Sequence, residues 1–222
     1  MYPLEQRQDI FDKEQYVVAK GLIPLWVIED LKTFYYDNRS KFKKEGIKNF
    51  LNEHYREQTA GLFKPLDYIH NSLTPRVAAY IGHPLITTYN TGRAYLRGSE
   101  MVSHRDRSQC DISLTMTVVN EGDNWPIYFK TKEGKEVPLL TEPGDCIIYK
   151  GTDLFHWRDP NENDFQIQHF FHWISRDTRT GSWMSEFSRE EIEDYNLWPG
   201  NLETMTRNNQ MPLPKRVANK QD

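Results

Sequence analysis

The sequence predicts an α+β fold with a mainly β core, in which short antiparallel strands form a sandwich or barrel and helices flank it. Two features predict this fold. Between residues 85 and 176, runs rich in β-branched and aromatic residues alternate with Gly, Asn, Asp and Pro, which is typical of short strands joined by turns. On either side of this region, helical patterns replace the strand pattern. We expect residues 1–222 to form one domain, because this length can bury a substantial core.

The N-terminal part, residues 15–84, is expected to be helix-rich. The stretch "EQYVVAKGLIP" places β-branched residues before a Gly and a Pro, and predicts an edge strand followed by a turn. The stretch "LWVIEDLKTFYYDNRSKF" predicts a helix, because apolar residues recur at helical spacing, namely Leu25, Ile28, Leu31 and Tyr35. Another helix is expected in "LDYIHNSLTPRVAAYIGHP", where the final Gly and Pro close it.

The core, residues 85–176, is expected to hold the strands. The predicted strands are "LITTYN", "RAYLRG", "CDISLTMTVVN", "WPIYFKT", "KEVPLL", "CIIYKG" and "FQIQHFFHWIS". Turn residues separate them, notably in "NEGDN" and "EPGD". Beyond the core, residues 177–222 are expected to be a helical C-terminal extension, because "SREEIEDYNLW" begins with a Ser cap and an acidic first turn.

Composition and charge limit the function classes. The net charge of −4 gives no support to a nucleic-acid partner or an anionic membrane, although a locally basic cleft stays compatible with it. The N-terminus lacks the apolar core of a signal peptide, and no later run is long enough to cross a bilayer. We therefore expect a cytoplasmic protein, in which Cys110 and Cys146 are reduced core thiols.

One constellation indicates chemistry. In "VSHRDRSQCDISLTMTV", His104 and Asp106 share a face if the chain is extended, because side chains alternate along a strand. An imidazole beside a carboxylate suits a divalent transition metal. The best third ligand is His156 in "YKGTDLFHWRDP". Two histidines and one carboxylate form the facial triad of non-haem Fe(II) oxygenases, which leaves positions for a bidentate 2-oxo acid and O₂.

Alone, the His-x-Asp pattern favours a solvated strand end, because such a match arises readily by chance. Its context changes this interpretation. An aromatic-Gly strand precedes the pattern, an alternating strand follows it, and a later Gly-Asp strand leads to His156.

These motifs resemble a known family. "YLRGSEMVSHRDR" and "EPGDCIIYKGTDLFHWRDP" are similar to the metal-binding strands of 2-oxoglutarate/Fe(II)-dependent dioxygenases of the prolyl-hydroxylase and phytanoyl-CoA-dioxygenase type. Small uncharacterised bacterial and phage members look closest. The resemblance covers residues 15–176 and implies a double-stranded β-helix, the jelly-roll or cupin-like closed sandwich. It also implies Fe(II) bound by His104, Asp106 and His156, with 2-oxoglutarate as cosubstrate and O₂ as oxidant.

One departure from the family concerns the cosubstrate. The family has an Arg or Lys about ten residues after the distal His, where this chain reads "NDFQIQHFF" without a cation. A buried dicarboxylate needs a charge-assisted partner. Arg158 is the first choice for it, Tyr95 could add its hydroxyl, and Gln168 could complete the contact. Arg158 could instead be a surface ion-pair partner, and Tyr95 a core aromatic. The less favoured cations are Lys150, Arg93 and Arg97.

The function predicted from the sequence is hydroxylation of an unactivated C–H bond in a small molecule, amino acid or peptide, with succinate and CO₂ as coproducts. One alternative is a cupin-like metalloprotein that does not use 2-oxoglutarate. Another is a non-catalytic β-sandwich binding module in which the triad is coincidental. A basic set hints at an anionic substrate, although several members should face solvent. The set comprises Arg93, Arg97, Arg105, Arg107, Lys130 and Arg158.

Overall fold

The structure is a computed structural model, and it describes residues 4–37, 44–45, 54–57 and 64–175. These residues all belong to one compact unit, Met1–Thr178. The predicted C-terminal helix lies outside the described residues. None of the described helices combines the length and apolar character that crossing a bilayer requires.

The described residues form three helices and eleven strands. The helices are α1 (Leu4–Glu14), α2 (Leu25–Asp37) and α3 (Lys64–Ile81). The strands are β1 (Tyr16–Ala19), β2 (Lys44–Glu45), β3 (His54–Glu57), β4 (Leu85–Leu96), β5 (Met101–His104), β6 (Ile112–Glu121), β7 (Ile127–Lys130), β8 (Glu136–Leu139), β9 (Cys146–Lys150), β10 (Phe155–Arg158) and β11 (Phe165–Ser175).

The strands form two antiparallel sheets. The large sheet has the order β1-β9-β6-β11-β4-β3-β2, and the small sheet has the order β5-β10-β7-β8. One apolar cluster contains residues of both sheets, among them Tyr95 and Tyr149 of the large sheet with Ile127 and Phe129 of the small one. The two sheets therefore pack face to face, as the sequence predicts for a sandwich or barrel of antiparallel strands.

The large sheet has two different faces. β11 is buried along its whole length, so its alternate residues point to different interiors. Phe165, Ile167, Phe171 and Trp173 pack with helix residues in the larger apolar cluster. We call this the helix face. The intervening residues point to the small sheet, on what we call the barrel face.

The registers of β6 and β4 with β11, and of β9 with β6, extend the barrel face across the sheet, because directly opposed residues of antiparallel strands point the same way. The side chains of this face are Tyr89, Thr91, Arg93, Tyr95, Ser113, Thr115, Thr117, Ile147, Tyr149, Gln168, Phe170 and His172. The barrel face is therefore rich in polar and aromatic groups.

Helix α2 is fixed to the helix face by one tyrosine. The Tyr35 hydroxyl lies 3.1 Å from His169 Nδ1. It reaches this position by crossing β4 at Gly92, where a β-carbon would overlap the Tyr35 hydroxyl. His169 Nε2 lies 3.3 Å from Asn90 Oδ1, so both ring nitrogens have partners.

Several elements differ from the sequence prediction. "LITTYN" and "RAYLRG" belong to one strand of 12 residues, β4, because β11 pairs with it along both runs. Leu25 is 66% exposed at the start of α2, and the buried residue there is Val27. The stretch 54–57 is a strand within the part expected to be helix-rich. Helix α1 had no counterpart in the prediction.

The two cysteines are free and buried, as predicted. Burial raises the pKa of Cys110 to about 12 and also raises that of Cys146, so both remain thiols.

Candidate metal centre

His104 and His156 face each other on neighbouring strands of the small sheet. β5 ends at His104, whose Cα is paired in register with that of His156 on β10. The two ring centroids lie 4.4 Å apart. His156 is 1% exposed, whereas the side chain of His104 is 23% exposed. The pair therefore has one closed side and one side open to solvent.

The backbone determines which nitrogen of each ring is available. His104 Nδ1 lies 2.8 Å from the Val102 carbonyl oxygen, and His156 Nδ1 lies 3.0 Å from that of Leu154. A carbonyl oxygen only accepts, so each Nδ1–H donates. In the neutral imidazole this leaves the lone pair of Nε2 available to a metal.

Asp106 joins the pair from a loop. The expectation that it shares a strand face with His104 is wrong, because β5 has already ended. The Asp106 N–H donates to the Gly151 carbonyl oxygen at 2.8 Å, and the Gly151 N–H donates to that of Asp111 at 2.9 Å. A β-carbon at position 151 would overlap the Asp106 carboxylate and the Cys110 carbonyl oxygen. Glycine is therefore what lets the two loops meet and aim Asp106 at the histidines.

The three side chains form a metal-sized cluster. Asp106 Oδ1 lies 3.6 Å from Nε2 of His104 and 3.6 Å from Nε2 of His156. A metal bonded to nitrogen and oxygen ligands at about 2.1 Å holds neighbouring ligand atoms roughly 3 to 3.5 Å apart. Two imidazoles and one carboxylate on one side of an ion are the donor set of the facial triad. The chain's own residues thus fit a divalent iron.

The other carboxylate oxygen of Asp106, Oδ2, is hydrogen-bonded on the side away from the two histidines. Ser113 on β6 donates its hydroxyl to Asp106 Oδ2 at 3.0 Å, and His172 Nδ1 lies 2.9 Å from the same hydroxyl oxygen. Burial lowers the pKa of His172 to about 4, so the ring is neutral and its Nδ1–H donates to Ser113. This chain of hydrogen bonds leaves Oδ1 pointing at the two Nε2 atoms.

The electrostatics keep Asp106 ionised. Burial would raise the pKa of this carboxyl, but its interactions with the facing rings, that of His156 first, hold it well below its usual value. A second cluster shares Asp106 with Cys110 and His172. Because the Cys110 thiol stays protonated and lies 3.0 Å from the Tyr89 hydroxyl, the histidine pair is the better metal site.

Arg158 lies two residues beyond His156 on β10, and both side chains are buried. Arg158 is 2% exposed; its Nη1–H donates to the Trp125 carbonyl oxygen at 2.6 Å. Its Nε and Nη2 are buried without a hydrogen-bond partner in the described part of the chain. Burial lowers the pKa of Arg158 to about 10, so it remains a cation at neutral pH. A surface ion pair for Arg158 is therefore excluded among the described residues.

Tyr95 and Gln168 are both fully buried on the barrel face. Tyr95 packs edge-on against Trp125 at 5.0 Å, and the same indole lies 4.9 Å beneath the Arg158 guanidinium. Tyr95 and Arg158 thus meet at one tryptophan. Gln168 instead bonds to β6, because its amide N–H donates to Thr117 at 2.8 Å and its carbonyl accepts from Thr115 at 3.3 Å.

The sequence did not predict three residues of this site, namely Ser113, Gly151 and His172, the partner of Ser113. Gly151 follows β9 directly, and a glycine at a strand end is the one signal that pointed to a close backbone approach. Trp157, next to His156 on β10, is half-buried and stacks on Tyr128 at 5.4 Å.

No protein-family model matches the sequence, and no curated protein matches it either. Solved structures do match. A Pseudomonas putida prolyl-4-hydroxylase has a TM-score of 0.60 at 12% identity, over 78% of this chain and 99% of that one. The non-haem alpha-ketoglutarate-dependent epimerase SnoN from nogalamycin biosynthesis has a TM-score of 0.65 at 10% identity, over 77% and 82%. This is the fold of the 2-oxoglutarate/Fe(II) oxygenases.

HygX from Streptomyces hygroscopicus, solved with nickel and 2-oxoglutarate bound, has the same fold at a TM-score of 0.58 and 10% identity, over 76% of this chain and 85% of that one. These matches confirm the predicted double-stranded β-helix. At identities this low, the matches establish the fold.

Proposed function

We propose that this protein is an Fe(II)- and 2-oxoglutarate-dependent oxygenase that hydroxylates an unactivated C–H bond. His104, Asp106 and His156 would hold the iron, and the 23% exposure of His104 leaves that side of the ion accessible. When bound, these groups supply the oxidation in which R–H, O₂ and 2-oxoglutarate give R–OH, succinate and CO₂.

The main support for 2-oxoglutarate as the cosubstrate is the buried guanidinium of Arg158. An unpaired buried cation is costly, and native proteins rarely keep buried N–H donors without an acceptor. Nε and Nη2 are adjacent donors on one edge of the guanidinium, the geometry that binds a carboxylate through two parallel hydrogen bonds. A dicarboxylate that chelates the iron and extends along β10 would place its far carboxylate at this edge.

The distance between the two positions suits this arrangement. His156 and Arg158 are two residues apart, which is about 6.7 Å along a strand. That length is comparable with a five-carbon dicarboxylate. Tyr95 lies on the same tryptophan as Arg158 and is proposed as the second contact. Gln168 is proposed as a third contact. It would use its second amide hydrogen and the second lone pair of its carbonyl oxygen, which the threonines of β6 leave unbonded.

The remaining residues of the site orient the ligands and exclude water. Tyr149 packs against the His156 ring at 4.9 Å and Phe129 at 5.9 Å, so the deep side of the centre is dry. Ser113 and the Gly151 carbonyl hold the Asp106 side chain and backbone. The proposed partner is thus a small-molecule or peptide substrate that approaches from the side of His104.

Replacing Asp106 with Ala tests the proposal. Wild-type protein with Fe(II) and 2-oxoglutarate should form succinate, and under anaerobic conditions it should show a visible absorption change when 2-oxoglutarate is added. Asp106→Ala should abolish both, because a carboxylate ligand is removed. Asp164→Ala is the matched control, since that carboxylate pairs with Arg97 at the surface.

Unchanged succinate formation in Asp106→Ala would refute the assignment of the triad. Wild-type protein that binds iron without responding to 2-oxoglutarate would indicate the cupin-like alternative. Wild-type protein without stoichiometric metal would indicate a binding module.

A further inference from the structure

The structure sorts the basic residues noted in the sequence into surface and interior groups. Arg97 pairs with Asp164 at 2.8 Å, and both side chains are exposed. Arg105 lies over the Phe155 ring at the surface, and Lys130 is exposed at the end of β7. The interior group consists of Arg158 and Arg93, both of which point between the sheets.

Arg93 lies on the barrel face of β4, opposite Gln168 in register. Its guanidinium lies 5.5 Å from the centroid of the Phe170 ring. Phe170 is two residues beyond Gln168 on β11, in the direction of His172, which bonds to the Asp106 support. The Arg93 side chain therefore leans along the sheet toward the metal centre.

The surroundings of Arg93 differ from those of Arg158. Arg93 is half-buried, although its Nε is buried and has no hydrogen-bond partner in residues 4–37 and 64–175. Burial lowers the pKa of Arg93, but Tyr95, Tyr89 and Asp106 offset this and raise it, so the side chain is a cation. Arg93 thus faces space that a solute can reach, whereas Arg158 is 2% exposed.

The charges do not balance around Arg93. Asp106 is the one carboxylate among the groups that attract Arg93, and it is the proposed metal ligand. No described carboxylate lies within ion-pair distance of Arg93 or Arg158. If 2-oxoglutarate occupies Arg158 and the iron, Arg93 still lacks a counter-charge among the residues whose side chains the structure describes. A buried cationic donor of this kind favours an anionic ligand.

We propose that Arg93 binds an acidic group, a carboxylate or a phosphate monoester, of the primary substrate and so restricts the enzyme to anionic substrates. The inference rests on the proposed function, since it assigns 2-oxoglutarate to Arg158. Arg107 adds a second cation nearer the surface. It is exposed, and its Nη2–H donates to the Tyr89 hydroxyl at 3.2 Å. An anionic substrate would pass Arg107 and Tyr89 before it reaches Arg93.

Binding measurements on protein loaded with Zn(II), which is redox-inert, and saturated with 2-oxoglutarate test this. The probes are N-acetyl amino acids with their matched primary amides, and nucleoside 5′-monophosphates with their matched nucleosides. We expect ligands only among the acids, and the two acid sets separate a carboxylate from a phosphate. Arg93→Gln should raise the Kd of the tightest-binding acid on the order of 30-fold, because a buried charge pair loses one partner. The affinity for 2-oxoglutarate should be unchanged.

Arg93→Lys keeps the charge and should retain part of the affinity for the acid. This partial retention would show that the loss in Arg93→Gln is not caused by a folding defect. Arg97→Gln is the surface control and should change neither affinity. Binding of amides or nucleosides as tightly as the acids, or no acid binding at all, overturns the inference. So does weaker 2-oxoglutarate binding in Arg93→Gln, because Arg93 would then contact the cosubstrate. Failure of wild-type protein to bind 2-oxoglutarate would instead refute the proposed function on which the inference rests.

Discussion

On its helix face the large sheet has a buried histidine with partners for both ring nitrogens, whereas the interior between the two sheets holds cationic donors that lack acceptors among the described residues. His169 on the helix face has Tyr35 and Asn90 as partners for its two nitrogens. Arg158 and Arg93 keep buried N–H groups that no described residue accepts. His169 is thus satisfied by its own neighbours, whereas the cations between the two sheets need ligands as partners.

His70 is an instructive exception on the helix side. Its Nε2 also lacks a partner, and its ring packs between Phe171 and Trp173. Burial lowers the pKa of His70 to about 3, so the unpaired atom belongs to a neutral ring. A neutral group without a partner costs far less than a buried cation without one. Charge therefore distinguishes the helix side of the large sheet from the interior between the sheets better than a count of unpaired atoms does.

The largest expected effects come from one substitution on the helix face and one in the interior between the two sheets. Phe171→Ala should lower the free energy of unfolding by about 3 to 5 kcal/mol, because a fully buried ring leaves a cavity. Arg158→Met should leave the metal-free protein equally stable or more stable, since it removes a buried charge that has no counter-ion. It should also raise the Kd for 2-oxoglutarate on the order of 30-fold or more.

Urea denaturation of the metal-free protein and titration with 2-oxoglutarate measure both substitutions. If Arg158→Met destabilises the metal-free protein as much as Phe171→Ala does, the guanidinium supports the fold, and the contrast between the helix face and the interior between the sheets fails.

A smaller effect is expected from the support behind the metal carboxylate. Ser113→Ala removes the hydroxyl that links His172 to Asp106, and should lower metal affinity by about 10- to 100-fold. Equilibrium dialysis with Zn(II) measures it. Thr115→Ser, two residues along the same strand, keeps a hydroxyl for Gln168 and is the control. Equal metal affinities for wild type and Ser113→Ala would show that Gly151 alone positions Asp106.

The smallest effect concerns acid stability of the helix face. The pKa of His169 is lowered to about 3 by burial, with further contributions from His70 and His172, and Tyr35 and Asn90 also face the ring. Between pH 6.5 and 3 the unfolded chain therefore binds a proton that the folded chain does not. Stability should be full above pH 6.5 and should fall as the pH decreases, by up to about 1.4 kcal/mol per pH unit for this residue.

Urea denaturation of metal-free wild type and His169→Gln between about pH 7 and pH 5 checks the pH dependence. The variant should show a shallower slope than wild type. Equal slopes would show that His169 becomes protonated within the folded protein.

The strand pattern of the core was predictable because its information is local. Turn residues and alternating runs lie next to each other in the sequence, and β6, β7, β8, β9 and β11 follow the predicted runs. The grouping of His104, Asp106 and His156 could be predicted from motif order. The route by which Asp106 reaches the histidines could not, because it depends on where β5 ends and on a hydrogen bond to Gly151, a residue distant in sequence.

The roles of the cations were also beyond local pattern. Arg93, Arg97 and Arg158 look alike in the sequence, and only the registers of β4 and β10 show which of them point inward. The partner of Arg97, Asp164, is known only once the chain folds. Long-range pairing therefore decides which arginines can meet a ligand.

The crossing of Tyr35 over Gly92 has a consequence for evolution. A larger residue at position 92 would occupy the space of the phenol, so it could be accepted only alongside a shorter side chain at position 35. The histidine at position 169 would then lose the hydroxyl it contacts. Three positions, one on a helix and two on adjacent strands, are thus expected to covary. Related chains should change at them together or keep all three residues.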